Sequence, residues 1–216
     1  MALAETLRAT DPAALERAAE VIRRGGVVAV PTDTFYGLAA DATHQIAIAR
    51  IFEIKGRAQT KALPLVAASL QQVASILGPL DDKTARAAKA FWPGPLSLLV
   101  DWRPQLSVTA AQPDNRQPTT DNPSVAVRVP GHAFVRALCA RTGTLLTSTS
   151  ANVAGEPAAE TADAVAAALG ARVDLIVDDG PAAGGRPSTI ADLRGETPRL
   201  VRDGAIAWER VLELLK

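Results

Sequence analysis

Four short apolar runs, "VVAV" (27–30), "LPLVA" (63–67), "LSLLV" (96–100) and "VAVRV" (125–129), recur along the chain. Runs of this length, with Gly25-Gly26 before the first and "WPGP" before the third, are too short for helices and read as buried strands. Between them, apolar residues fall at helical spacing: Leu15, Ala18, Ala19 and Ile22 first, then Ile48, Ile51 and Phe52. Strands alternating with helices predict an α/β fold built on a mixed sheet. The first helix is expected behind Asp11-Pro12, as cap and first helical position, and to stop at Gly25-Gly26. "PTDTFYGLAAD" (31–41) reads as a turn-rich loop, and the second helix ends near Lys55. Ser69-x-x-Gln72 has the form of a capping box opening a third helix, and Asp81 to Phe91 suits a fourth. Further expectations are a helix over 132–142, a strand at "LLTST" (145–149), and a helix near 161–169. Strands near 173–178, 188–193 and 199–203 follow, with a closing helix from Ala207. Neither an internal repeat nor a linker divides the 216 residues, so one domain is expected over 1–216, with its core at about 12–204 and no room for a C-terminal extra domain.

Lysine plus arginine equals aspartate plus glutamate at 23 each. A whole-surface polyanion binder is usually basic, so any nucleotide or nucleic-acid site must come from a local patch. The single cysteine, Cys139, cannot form an internal disulfide, which fits a reducing compartment. Glu5 and Arg8 interrupt the N-terminus where a secretory signal needs an apolar core, and no apolar run reaches a membrane span. A cytoplasmic protein with no membrane contact is expected. Residues 103–123 hold four prolines among polar residues and read as a long surface loop, a candidate lid.

Several chemistries lack their residues. The chain has no G-x-x-x-x-G-K-[ST]; "GGRPST" (184–189) has neither the spacing nor the lysine. No G-x-G-x-x-G follows the first strand. Two histidines and one cysteine do not suit a zinc site, and Cys139 within "FVRALCARTG" reads as helix core rather than a nucleophile. The cationic stretch "EIKGRAQTKALPL" (53–65) is different: Lys55 and Arg57 lie where a helix ends and can converge on one anion, with Lys61 at the entry to the next strand. "TSTSAN" (147–152) offers hydroxyls, a carboxamide and backbone N–H groups able to bind phosphate oxygens or an adenine edge. "PTDTFYGL" places two hydroxyls, a carboxylate and Tyr36 directly after a strand, where open α/β sheets gather ligands. Arg128 interrupts an apolar strand and needs an anionic partner, either a structural carboxylate or a substrate carboxylate.

Six segments in series, "PTDTFYGLAADA", "KGRAQTKALPL", "FWPGPLSLLV", "VAVRVPGH", "STSANVAGEP" and "RPSTIADL…RLVRDG", resemble the YrdC/TsaC family of threonylcarbamoyl-AMP synthases from about Gly25 to Gly204. The resemblance implies a twisted α/β sheet enclosing a large, basic concave cleft. It also implies a nucleotidyl transfer that converts L-threonine, bicarbonate or CO2, and ATP into L-threonylcarbamoyl-AMP and pyrophosphate. Partner proteins would then use the adenylate to modify an adenosine of tRNA. Matched residue by residue, the family's K-x-R corresponds to Lys55 and Arg57, the catalytic pair. ATP would be bound by these two with Lys61, Ser150, Asn152 and Arg202, the cations facing Ser150 and Asn152 on the opposite wall of the hollow, and L-threonine by Thr34, Arg128 and Ser148. Magnesium is expected on the phosphates, without a protein cage and without a tightly bound organic cofactor. Two positions depart from the pattern. Ala58 replaces the proline usual after K-x-R, and Val66 stands where longer relatives carry a histidine toward threonine. The asparagine of S-x-N, absent from a paralogous branch, is present as Asn152.

Two other classes compete. A non-catalytic module gripping double-stranded RNA or tRNA is opposed by the neutral net charge and by only three Trp, one Tyr and four Phe; whether tRNA touches this chain directly is left open. A carbamoyl-adenylate domain of hydrogenase maturation would sit in a longer chain with zinc-finger motifs. On the synthase expectation, Lys55→Ala and Arg57→Ala each lower turnover on the order of a hundredfold or more, far more than they lower stability; a wild-type rate for either in a pyrophosphate-release assay would overturn this assignment of roles.

Overall fold

The computed structural model describes residues 4–56, 62–101, 103, 106 and 124–216. Mixed α/β architecture appears as expected, but the strands divide between two sheets rather than forming one. The first sheet runs in the order β1 (Glu5–Arg8), β9 (Leu175–Asp178), β2 (Val28–Val30), β3 (Gly37–Ala39), β8 (Thr149–Ser150). In it β1 and β2 both pair parallel to β9, while β3 is antiparallel to β2 and to β8. The second runs β11 (Arg199–Arg202), β10 (Thr189–Asp192), β5 (Leu96–Asp101), β6 (Ser124–Arg128), β4 (Leu65–Val66), β7 (Leu146–Thr147). Parallel β10/β5 and β4/β6 pairs alternate in it with antiparallel ones.

The sheets are joined by one bent ribbon. "LLTST" is not a single strand: Leu146–Thr147 belongs to the second sheet and Thr149–Ser150 to the first, with Ser148 at the corner. Across from it, residues 36–42 keep pairing through the bend. Ala151 N–H donates to the Tyr36 carbonyl at 2.8 Å, Thr147 N–H to Ala40 at 2.9 Å, and Ala42 N–H to Leu145 at 3.0 Å. At the corner the fully buried Thr147 hydroxyl completes the pairing, accepting from Ala40 N–H at 3.0 Å and donating to the Leu38 carbonyl at 2.9 Å. A buried backbone group left unpaired costs about 1–3 kcal/mol, so a threonine side chain here allows the turn without that loss.

Two strands escape the sequence reading. The strand Gly37–Ala39 lies inside the segment taken as a loop, its short apolar core masked by the turn residues before it. The edge strand Glu5–Arg8 is mostly exposed and carries no buried apolar alternation; only its pairing with Leu175–Asp178 defines it.

Helix α1 (Ala14–Arg23) begins after Asp11-Pro12, because Asp11 accepts from Ala13 N–H at 2.8 Å in a local turn instead of capping the helix. Helix α2 (Gln45–Lys55) is capped by His44 and ends on Gly56 at φ +60°, a left-handed residue where a side chain would be strained. Ser69 caps α3 (Leu70–Leu77) as expected, but Gln72 turns back to Ala68 N–H rather than closing the box on Ser69. Helix α4 (Asp82–Phe91) is capped by Asp81 and shares an apolar cluster with α7 (Trp208–Leu215) and the strands Leu96–Asp101 and Thr189–Asp192. Helix α5 (Ala133–Thr142) covers the Val28–Val30 side together with α1. Helix α6 (Ala162–Leu169) packs in a further cluster with Tyr36, Leu38 and α2. Among the described residues no helix is long and apolar enough to cross a membrane.

Asp192 ties the outer strands of the second sheet together. Its nearly buried carboxylate accepts from Arg194 Nε and Nη2 at 2.9 and 3.0 Å and from Arg199 Nη2 at 2.6 Å. The Arg194 hydrogen bonds lead in pulling its pKa down to about 2, against an opposing desolvation, with Arg199 adding to them. The unfolded value is near 4, so this stabilisation is complete above pH ~4 and is lost as pH falls toward 2. Asp192→Asn should lower stability at pH 7 by about 3 kcal/mol and flatten the acid limb of a pH–stability curve between those values; an acid limb identical to wild type in chemical denaturation would refute this.

Candidate functional site

Between the two sheets lies a cavity of about 890 Å³. Residues after β2, at the end of α2 and along β8 make one wall; β5, β6, β10 and β11 make the other. The lining gathers Thr34, Lys55, Arg128, Ser148, Ser150, Asn152 and Arg202, seven candidates spread over more than 160 positions of the sequence. Arg57 and Lys61 lie outside the described residues; Lys55 and Ala62, on either side of them, both line the cavity. Apart from Arg103 and Leu106, the 103–123 segment read as a lid also lies outside the described residues.

Lys55 is 4% exposed. Its Nζ donates to the carbonyl of Ser150 at 2.6 Å, to the carbonyl of Asn152 at 3.0 Å and to Asn152 Oδ1 at 3.0 Å. The Ser150 hydroxyl donates to the same Oδ1 at 2.6 Å, and Asn152 Nδ2 donates onward to the Glu156 carbonyl. The expectation that the lysine and the S-x-N turn face each other across the hollow is therefore corrected: they are one wall in direct contact. A buried ammonium needs oxygen acceptors for its three hydrogens, and this turn supplies them.

The question left open for Arg128 is answered by a structural carboxylate. Its guanidinium, 6% exposed, pairs through Nη1 with Asp33, and Nη2 donates to Thr32 Oγ1 at 3.3 Å. Thr32 in turn accepts from Thr34 N–H at 3.1 Å and donates to the Phe35 carbonyl at 2.8 Å, so "TDT" wraps the arginine. Asp33 uses one oxygen; its Oδ2 is buried with no hydrogen-bond partner among the described residues. Gly131 packs there, where an added Cβ would lie 3.1 Å from the Asp33 side chain. His132 Nε2 lies 3.2 Å from Asp179; burial pulls the imidazole pKa down, opposed by Asp179 and Asp33.

Arg202 is held by neutral acceptors. Nε and Nη2 donate to the Ser188 carbonyl at 3.0 and 2.7 Å, and Nη2 to Ser188 Oγ at 2.9 Å, while Ser188 Oγ and Ser97 Oγ lie 3.0 Å apart. Desolvation first, then the nearby Arg128 charge, lowers its pKa. Ser97 and Ser188 both line the cavity and were missed. The signal for Ser97 was a polar residue inside an apolar run, the feature that singled out Arg128 in its own strand, whereas Ser188, between Pro187 and Thr189, carried no such signal. Ser148 stands at the sheet corner, and a Cβ on Gly37 would come within 3.2 Å of its hydroxyl.

Other candidates are structural. Tyr36 is fully buried and its hydroxyl donates to the Gly180 carbonyl at 2.7 Å. Val66 packs in an apolar cluster with Leu138, Cys139 and Leu146, while its neighbour Leu65 lines the cavity. Burial pushes the Cys139 thiol up to about 12, consistent with a core residue. The charged residues of the described lining are all cations, set among hydroxyls and amides, which suits an anionic substrate that needs positioning and charge neutralisation.

A family model, Sua5_yciO_yrdC, described as "Telomere recombination", matches residues 20–204. The threonylcarbamoyl-AMP synthase of Bacillus subtilis is 35% identical over 96% of this chain, which spans 58% of that longer protein. The threonylcarbamoyl-AMP synthase of Xanthomonas euvesicatoria is 37% identical over 90% of this chain and the whole of its own length. Among solved structures, P. abyssi Sua5 complexed with L-threonine superposes with a TM-score of 0.85 at 30% identity, covering 100% of this chain and 61% of its own.

Proposed function

The chain belongs to the Sua5/YciO/YrdC family, and on that premise we propose that it is an L-threonylcarbamoyl-AMP synthase. The observation that carries the reading is the convergence of Lys55, the Ser150–Asn152 turn, Arg128 and Arg202 on one cavity between the sheets.

Threonine binds with its carboxylate beside Asp33 on the Arg128 guanidinium, which has five N–H donors and so can keep its structural carboxylate while serving a second one, and with Thr34 and Ser148 beside it. Its amine takes up CO2, supplied by bicarbonate, to give a carbamate. A carbamate oxygen then attacks the α-phosphorus of ATP, the bond to the β-phosphate oxygen breaks, and pyrophosphate leaves. The protein supplies position and charge rather than a covalent nucleophile. Ser150, Asn152 and Arg202 hold the nucleotide, while Lys55, Arg57 and Lys61 make its surroundings positive. Magnesium arrives as part of the substrate, held by phosphate and water oxygens; a lining of hydroxyls, amides and cations fits that arrangement. The product serves partner proteins that modify an adenosine of tRNA, in the cytoplasm.

The reading is tested by pyrophosphate release from ATP with threonine and bicarbonate omitted in turn. Release should stop in each omission; release that persists without threonine overturns the assignment. Arg128→Lys should raise the threonine KM about tenfold or more and leave the ATP KM near wild type, since a single ammonium cannot hold Asp33 and Thr32 and also a second carboxylate. An unchanged threonine KM would place the amino acid elsewhere.

A further inference from the structure

Lys55 is the only lysine among the described lining residues of the cavity. Its surroundings, though, are those of a tie between two elements. It is the last residue of α2, and Gly56 turns the chain away immediately after it. The three acceptors of its Nζ among the described residues belong to Ser150 and Asn152, and its own carbonyl accepts from Ala154 N–H at 2.8 Å. The turn depends on this contact in return. The carbonyls of Ser150 and Asn152 point at one ammonium, and Asn152 Oδ1 lies between Lys55 Nζ and the Ser150 hydroxyl. That hydroxyl is oriented by donating to Oδ1, so the lysine sets the position of the amide and the amide sets the direction of the hydroxyl.

Moving Nζ onto a phosphate would exchange at least one buried contact of 2.6–3.0 Å for another and deprive an oxygen of the turn of its donor. Arg57 and Lys61 come from the same cationic stretch. On the synthase reading, we propose that Lys55 is a positioning residue. It braces the Ser150–Asn152 turn from behind, so that Ser150 and Asn152 meet the nucleotide already oriented, and contact with the phosphates falls to other cations.

The test uses a variant that keeps the charge. A guanidinium is planar and cannot reproduce a compact three-acceptor ammonium site. Lys55→Arg should therefore lower kcat on the order of a hundredfold through misplacement of the turn. Its threonine KM should stay within about twofold of wild type, and the backbone amides of 151–156 should exchange faster with deuterium. An Lys55→Arg enzyme with near-wild-type kcat and unchanged exchange overturns the brace, because charge alone would then suffice. A second measurement needs no variant: magnesium tripolyphosphate added to the wild-type protein should leave exchange of those amides unchanged or slower. Faster exchange would mean that Nζ leaves the turn for phosphate, and the proposal fails. Wild-type protein that releases no threonine-dependent pyrophosphate defeats the synthase reading alone, since both exchange measurements bear on the brace without turnover.

Discussion

Everything in this molecule that binds depends on one backbone ribbon being allowed to bend. Residues 36–42 and 145–151 pair along their length, but the first part of that pairing belongs to one sheet and the last part to the other. A ladder that bends through a corner loses register there, and buried amides do not tolerate such a loss. The Thr147 hydroxyl supplies both a donor and an acceptor at the corner, bonding Leu38 and Ala40. Ser148 follows at once on the cavity side, and Ser150 and Asn152 lie within the next turn. The hollow between the sheets and the polar lining of one wall thus share a cause.

The cavity keeps its cations by solvating them differently. Lys55 is surrounded by carbonyl and amide oxygens, Arg202 by the carbonyl and hydroxyl of Ser188, and Arg128 by the Asp33 carboxylate. For Lys55, neutral dipoles make burial of the charge bearable without cancelling it, while Arg202 keeps part of its side chain in solvent. Of the three, only Arg128 is paired with a described acid, and it is wrapped by the "TDT" segment that also presents Thr34. The lowered pKa of Arg202 reflects the same economy of counter-charge, since desolvation and Arg128 both disfavour its protonated form. A site of this kind is prepared for substrates that bring their own negative charge.

Much of this was legible in the chain. The strands and helices follow from short apolar runs and helical spacing, and Ser69, Asp81 and Gly56 act at helix ends as their chemistry implies. The cationic stretch, the S-x-N turn and Arg128 stood out because polar or charged residues interrupt or directly follow apolar runs. Where the reading failed, the missing information was long-range. Glu5–Arg8 is a strand only because Leu175–Asp178 offers an edge, and Gly37–Ala39 only because Val28–Val30 lies beside it. Asp11 fell short as a cap because its side chain closes a nearer turn.

The residues of this chain were enough to determine an α/β fold, the side chains with something to bind, and the family pattern they compose, because apolar periodicity and local capping act over a few positions. Tertiary structure alone decided that the strands form two sheets, that Lys55 stands against Ser150 and Asn152 instead of across from them, and that Asp33 is the partner of Arg128. The last two join residues about 95 positions apart and the first rests on pairings as distant as Glu5 with Leu175, and no local preference can report a contact between groups that only the closed fold brings together.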